Sequence, residues 1–170
     1  MRSLLLATIV IPLCSLVAVA QYPGQENSLT GMRGVKVVIY TGDKGGLKEI
    51  GLSADLLKTD VELRLRKAGV PVLLGKGWPE GYLKAVLVVA VLTTEHDKLY
   101  AVTIKVQLWR IVHDNPNPAT LSTWESLGNG IFGEDAVRAG TRNALGDHVD
   151  GFINDYLAAN PAKQHERSML

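Results

Sequence analysis

The chain has 170 residues, 46% of them hydrophobic and 21% charged, with a formal net charge of +1. That balance lacks the basic excess or stripe of a general nucleic-acid or anionic-membrane binder. Cys14 is the only cysteine, which excludes an internal disulfide framework.

Residues 1–20 read as a secretory signal peptide. Arg2 supplies a positive start, Leu4 to Val19 carries no charge, and Ala18-Val19-Ala20 offers small residues where a signal peptidase reads. Cleavage is expected before Gln21. A retained anchor would need about 20 apolar residues, and this run is shorter and broken by Pro12. Cys14 follows Leu13, which is too large for the small residue that precedes a lipidated cysteine, so a soluble exported product is expected. Cleavage would remove Arg2 and Cys14, leaving 17 basic against 17 acidic residues and no thiol. About 150 residues suffice for one domain without covalent staples.

The stretch from Gln21 to Arg33 reads as a flexible leader. Gly34 to Thr41, with VKVVIY inside it, predicts a first strand. A glycine-rich connection follows. The first helix is predicted from Ser53, a good N-cap, with Leu52 and Leu57 at staple positions. Leu57, Val61, Leu65 and Ala68 form its apolar face, and Gly69 and Pro71 stop it. Val70 to Leu74 predicts a second strand and Tyr82 to Thr94 a buried third. Leu99 to His113 alternates, with Val102, Ile104, Val106 and Leu108 on one face. The prolines of DNPNP argue against pairing there. A fifth strand is predicted from Ala119 to Leu127, ended by GNG. A long helix runs from Glu134 to Ala159, ended by Asn160-Pro161, with residues 161–170 as a tail. Gly140, Gly146 and Gly151 within it suggest close packing or a kink.

The order predicts one α+β domain over residues 34–160. It is a two-layer sandwich with a mostly antiparallel sheet of about five strands and two helices on one face.

Catalytic and cofactor motifs do not emerge. Gly42 to Glu49, GDKGGLKE, fits neither a phosphate loop nor a dinucleotide fingerprint. His96, His113, His148 and His165 show no metal-ligand spacing, and His148 beside Asp147 and Asp150 reads as a solvated helix face. Only a tertiary cluster of His113, Asp114 and Glu125 remains to be considered. No nucleophile elbow is present. No cofactor, metal or catalytic residue is therefore assigned.

The more informative feature is the sheet face opposite Val102 and its partners. It carries Ala101, Thr103, Lys105, Gln107 and Trp109, with Trp124 and the series Val86, Val88 and Ala90 as candidates to join them. Lys105, Gln107, Trp109 and Trp124 are the expected binding surface, since aromatic residues anchor interfaces. An ordinary solvated sheet face is the alternative.

The segments Val149 to Pro161, VDGFINDYLAANP, and Val61 to Val72, VELRLRKAGVPV, resemble a group of uncharacterised small exported bacterial proteins. The element order is also similar to the N-terminal domain of TolB and to the periplasmic α/β domains of CsgG-like secretion lipoproteins. That similarity implies an interaction or assembly module of the cell envelope. The chain departs from both in having neither propeller repeats nor a lipid-attachment signal. The expectation is a periplasmic or secreted, non-catalytic domain. It would bind an envelope protein or itself, without nucleic acid and without a membrane anchor once cleaved. The competing expectation is a small hydrolase or ligand-binding protein, with its site where Gly42 to Glu49 meets the strand ends and the loop from Asp114 to Pro118.

Overall fold

The computed structural model describes residues 26–42, 46–75, 77, 85–114 and 117–161. The expected signal segment, the start of the leader and the tail beyond Pro161 lie outside the described residues.

The fold is α+β. Four strands, β1 (Lys36–Tyr40), β2 (Ala85–His96), β3 (Leu99–Asp114) and β4 (Asn117–Gly133), form one sheet in the order β1-β2-β3-β4. The sheet is mixed. β1 runs parallel to β2, and the other two pairings are antiparallel. Among the described residues three α-helices accompany it: α1 (Gly46–Glu49), α2 (Ala54–Lys67) and α3 (Glu134–Ala159).

Helix α2 forms as its local signals direct. The Ser53 hydroxyl accepts a bond from the Leu56 N–H at 3.2 Å. At its other end Gly69 takes a φ of +82°, open to glycine at no steric cost. The Gly69 N–H then reaches the Arg66 carbonyl at 3.0 Å and the Val70 N–H reaches that of Leu65 at 2.9 Å. This is the paired Schellman closure of a helix C-terminus. Leu57, Val61 and Leu65 are buried on the sheet side.

The expected second strand, Val70 to Leu74, does not form. Pro71 has no N–H to give to a ladder, and the segment makes one parallel bridge, Val35 to Val72. Two bonds hold it, Val35 N–H to the Pro71 carbonyl at 3.0 Å and Leu73 N–H to the Val35 carbonyl at 2.8 Å. Among the described residues the sheet thus has four strands rather than five.

The expectation that prolines would forbid pairing at DNPNP also fails. The ladder between β3 and β4 runs on to Asp114 opposite Asn117, with Pro118 opposite His113. β4 is an edge strand, where a proline can turn its missing donor away from the neighbour. GNG does not end β4 either. Gly128 and Gly130 pair with Ile104 and Val102, and the strand continues to Gly133. A Cβ at Gly128 would lie 2.3 Å from His148 Nε2, so this glycine makes room for a helix side chain rather than marking a turn.

The connection after β1 contains the one-turn helix α1, whose Leu47 is buried. The leader is not loose from residue 26 onward. It forms a 3-10 turn over Glu26–Leu29, and Leu29 and Met32 are fully buried. The Asn160 carboxamide at the end of α3 fastens it. Its Nδ2 donates to the Leu29 carbonyl at 2.9 Å, and its Oδ1 accepts from the Gly31 N–H at 2.9 Å. The Tyr156 hydroxyl donates to the Met32 carbonyl at 3.0 Å.

One core fills the space between sheet and helices. Leu87, Val89 and Val91 from β2 and Val102, Ile104, Val106 and Leu108 from β3 meet Val149, Phe152 and Tyr156 of α3. Among the described residues the helices lie on this face alone and leave the opposite face of the sheet open.

Candidate functional site

The ladder fixes which side chains share the open face. Side chains paired across strands point the same way, so the register defines rows. The first runs Lys36, Val86, Trp109, Ser122, and the second Val38, Val88, Gln107, Glu125. The third is Tyr40, Ala90, Lys105, Leu127. Leu92, Thr103 and Asn129 follow, then Thr94, Ala101 and Ile131. Val38, Tyr40, Leu92, Trp109, Leu127 and Ile131 are between 40% and 74% exposed. Such a concentration of large apolar side chains on one face is the informative departure from a solvated surface.

Polar groups hold the middle of the face in place. Gln107 Nε2 donates to Glu125 Oε2 at 2.9 Å and to Ser122 Oγ at 3.3 Å. Lys105 Nζ stands 3.2 Å from Glu125 Oε2, and Thr103 Oγ1 donates to Asn129 Oδ1 at 2.8 Å. Lys36 Nζ donates to the Gly75 and Gly77 carbonyls at 2.7 Å each.

Of the residues expected here from sequence, Lys105, Gln107 and Trp109 stand together, as do Val86, Val88 and Ala90. Trp124 does not. It is 2% exposed, on the helix side. Its indole Nε1 donates to Asp155 Oδ2 at 2.8 Å, and its ring meets Phe152 edge-on at a centroid distance of 5.2 Å. The cause is register: Leu108 pairs with Trp124, and a bulge then sets Trp109 opposite Ser122, leaving Thr123 as the extra residue. Val38, Tyr40, Leu92, Leu127 and Ile131 were missed. Their period-two spacing was visible, but the face they take depends on strand pairing.

His148 is likewise not on a solvated face. It is buried, with Nδ1 2.7 Å from Ser126 Oγ. Burial pushes its pKa below the ordinary 6.5, opposed in part by the charge of Asp147. Ser126 is itself buried, so the pair faces the core rather than a substrate. The cluster of His113, Asp114 and Glu125 does not form, because Glu125 lies opposite Gln107, six residues along β3 from His113. Among the described residues no group of three or more His, Cys, Asp or Glu is placed to hold a metal ion.

The site expected between the two loops is overturned by topology. Gly42 follows the end of β1, which pairs near the middle of β2 and points toward the β2–β3 turn. Asp114 and Asn117 close the opposite end of the sheet. Two loops at opposite ends cannot line one pocket.

A cleft of about 550 Å³ lies between α2 and α3, lined by Asp60, Arg64, Lys67, Arg142, Asn143 and Gly146 among others. Its arginines are committed. Arg142 donates to both Asp60 oxygens, at 2.8 and 2.9 Å, and Arg64 pairs with Asp150. This is an ion-paired helix seam.

No protein-family model matches the chain, and no curated protein matches it in sequence. Solved structures are similar at the level of fold. A PelC dodecamer from Paraburkholderia phytofirmans in space group P6 is 20% identical at a TM-score of 0.44, over 83% of this chain and 94% of that one. A variant PelC dodecamer from the same organism, in space group C2, is 18% identical at a TM-score of 0.47, over 81% and 96%. A minor lipoprotein from Acinetobacter baumannii is 13% identical at a TM-score of 0.31, over 76% and 94%. Neither TolB nor a CsgG-like domain stands among these neighbours. All three TM-scores are below 0.5, so the functional reading rests on this chain's own residues.

Proposed function

We propose that the chain is an exported, non-catalytic binding or assembly domain of the cell envelope that engages protein through the open face of its sheet. The observation that carries this reading is the set of exposed apolar side chains on this face, Val38 and Tyr40 on β1, Leu92 on β2, Trp109 on β3, and Leu127 and Ile131 on β4. A helix layer covers the other face, so this surface is where apolar area remains to be buried. Trp109 supplies a rigid aromatic anchor, and Lys105, Gln107 and Glu125 supply a bonded polar centre. Export rests on the pattern of residues 1–20.

The test is purification of the mature chain, residues 21–170, from its native envelope with the mass of the complex measured. A complex heavier than one chain, lost on Trp109→Glu while the circular dichroism is unchanged, supports the reading. A single-chain mass in both forms removes it.

A further inference from the structure

We infer that the occupant of the open sheet face is a second copy of the same chain, packed sheet to sheet about a two-fold axis. The inference rests on the binding role proposed above and narrows it to one partner. Four observations carry it.

The first is area. β2 is twelve residues long and is matched by β3 and β4, with the five residues of β1 beside them. At about 3.3 Å per residue and about 4.8 Å between strands, that face spans about 650 Å². Two copies would bury about 1,300 Å², within the range of about 1,200–2,000 Å² of stable specific interfaces.

The second is charge. Lys105 is neutralised by Glu125 inside the face, and the Lys36 ammonium is turned onto the Gly75 and Gly77 carbonyls. With Lys36 and Lys105 against Glu125 the surface carries a formal charge of only +1, too little to select a strongly charged partner.

The third is shape. Two sheets of the same twist pack in register with each other at about 10 Å, the geometry of a sandwich. Each copy has one open face, so the contact is isologous and closes at two copies. The result is a four-layer α/β/β/α dimer.

The fourth is the poor alternative at the sheet edge. The outer edge of β4 is interrupted by the bulge at Thr123 and by Pro118. Both features disfavour addition of a further strand. The face, rather than the edge, is the surface suited to a partner.

The absence of cysteine after Cys14 makes a direct test available. Single substitutions Leu92→Cys, Gln107→Cys and Leu127→Cys in residues 21–170 each create a sole thiol on the face, and Lys58→Cys places one on α2. Under mild oxidation the expected result is covalent dimer from at least one face variant and none from Lys58→Cys. Sedimentation velocity of the unmodified mature chain at tens of micromolar should give twice the chain mass. Ile131→Glu and Leu92→Glu, both at exposed positions, should raise the dimer dissociation constant at least tenfold while the thermal transition stays cooperative.

A monomer at 100 micromolar with no face-specific crosslink overturns the second-copy inference. If the glutamate variants then abolish capture of a different envelope protein, the wider binding reading survives. If they change nothing, both fall.

Discussion

Ser126 Oγ and His148 Nδ1 lie 2.7 Å apart in the buried seam between β4 and α3, and Gly128 provides the space in which the imidazole fits. Protonating His148 places a charge where burial disfavours it. Its folded pKa lies below the unfolded value of about 6.5. Between those two values the unfolded chain binds more protons, so stability rises with pH across the window. The contribution is fully present above about pH 6.5 and is lost as pH falls through the folded pKa. Urea midpoints at pH 8 and pH 5 should differ, and His148→Gln should flatten the difference. An unchanged slope in that variant would assign the acid sensitivity to other groups.

The same seam predicts a steric cost. A Cβ at Gly128 would lie 2.3 Å from Nε2 and 2.8 Å from Cε1 of His148. Gly128→Ala should destabilise by about 1–3 kcal/mol, the range of overpacked cores. His148→Ala should absorb part of that cost, so a double-mutant cycle should show coupling between the two sites. Additive effects would mean that the imidazole already moves aside.

The two tryptophans separate core from surface. Trp124→Ala removes a buried indole, its bond to Asp155 and its contact with Phe152, and should cost about 3–5 kcal/mol. Trp109 on the open face is 40% exposed, and Trp109→Ala should cost far less in chemical denaturation of the monomer. Comparable losses from both would place Trp109 in the core.

This contrast shows what was legible in the sequence. Ser53 and Gly69 were readable as helix boundaries because capping depends on a few neighbouring residues. The inward face of β3 was readable because alternation is local as well. Trp124 was not, because its face depends on a bulge between Leu108 and Trp109, a property of two paired strands. Gly128 and Gly130 look like a turn in sequence. Only the packing of His148 and Phe132 shows why glycine stands there. Asn160 was readable as a helix end, but its grip on Leu29 and Gly31 spans about 130 residues.

The glycines of α3 should behave in opposite ways. Gly151 has open space at its Cβ position, whereas a Cβ at Gly140 would lie 2.4 Å from the Phe132 ring. Gly151→Ala should therefore stabilise by up to about 1 kcal/mol through helix propensity alone. Gly140→Ala gains the same propensity but must displace a partly buried ring, and should be net destabilising. Thermal midpoints moving in the same direction for both would show that Phe132 yields freely.

Asn160 ties the N-terminal turn to α3 through three bonds, to the Leu29 carbonyl, the Gly31 N–H and the Tyr156 carbonyl. Asn160→Ala leaves the Leu29 carbonyl and the Gly31 N–H without these partners. The Leu29 carbonyl keeps its bond from the Met32 N–H at 3.3 Å and Gly31 is exposed, so each lost bond should cost about 0.5–1.5 kcal/mol. The loss should be local, since α2 and the sheet do not rely on this residue. Hydrogen exchange should therefore accelerate over residues 28–34 while protection in β2 and β3 persists. Limited proteolysis should begin in the same segment. Uniform acceleration across the sheet would show instead that the turn and the core open as one unit, making residues 26–33 an integral part of the fold rather than a strap upon it.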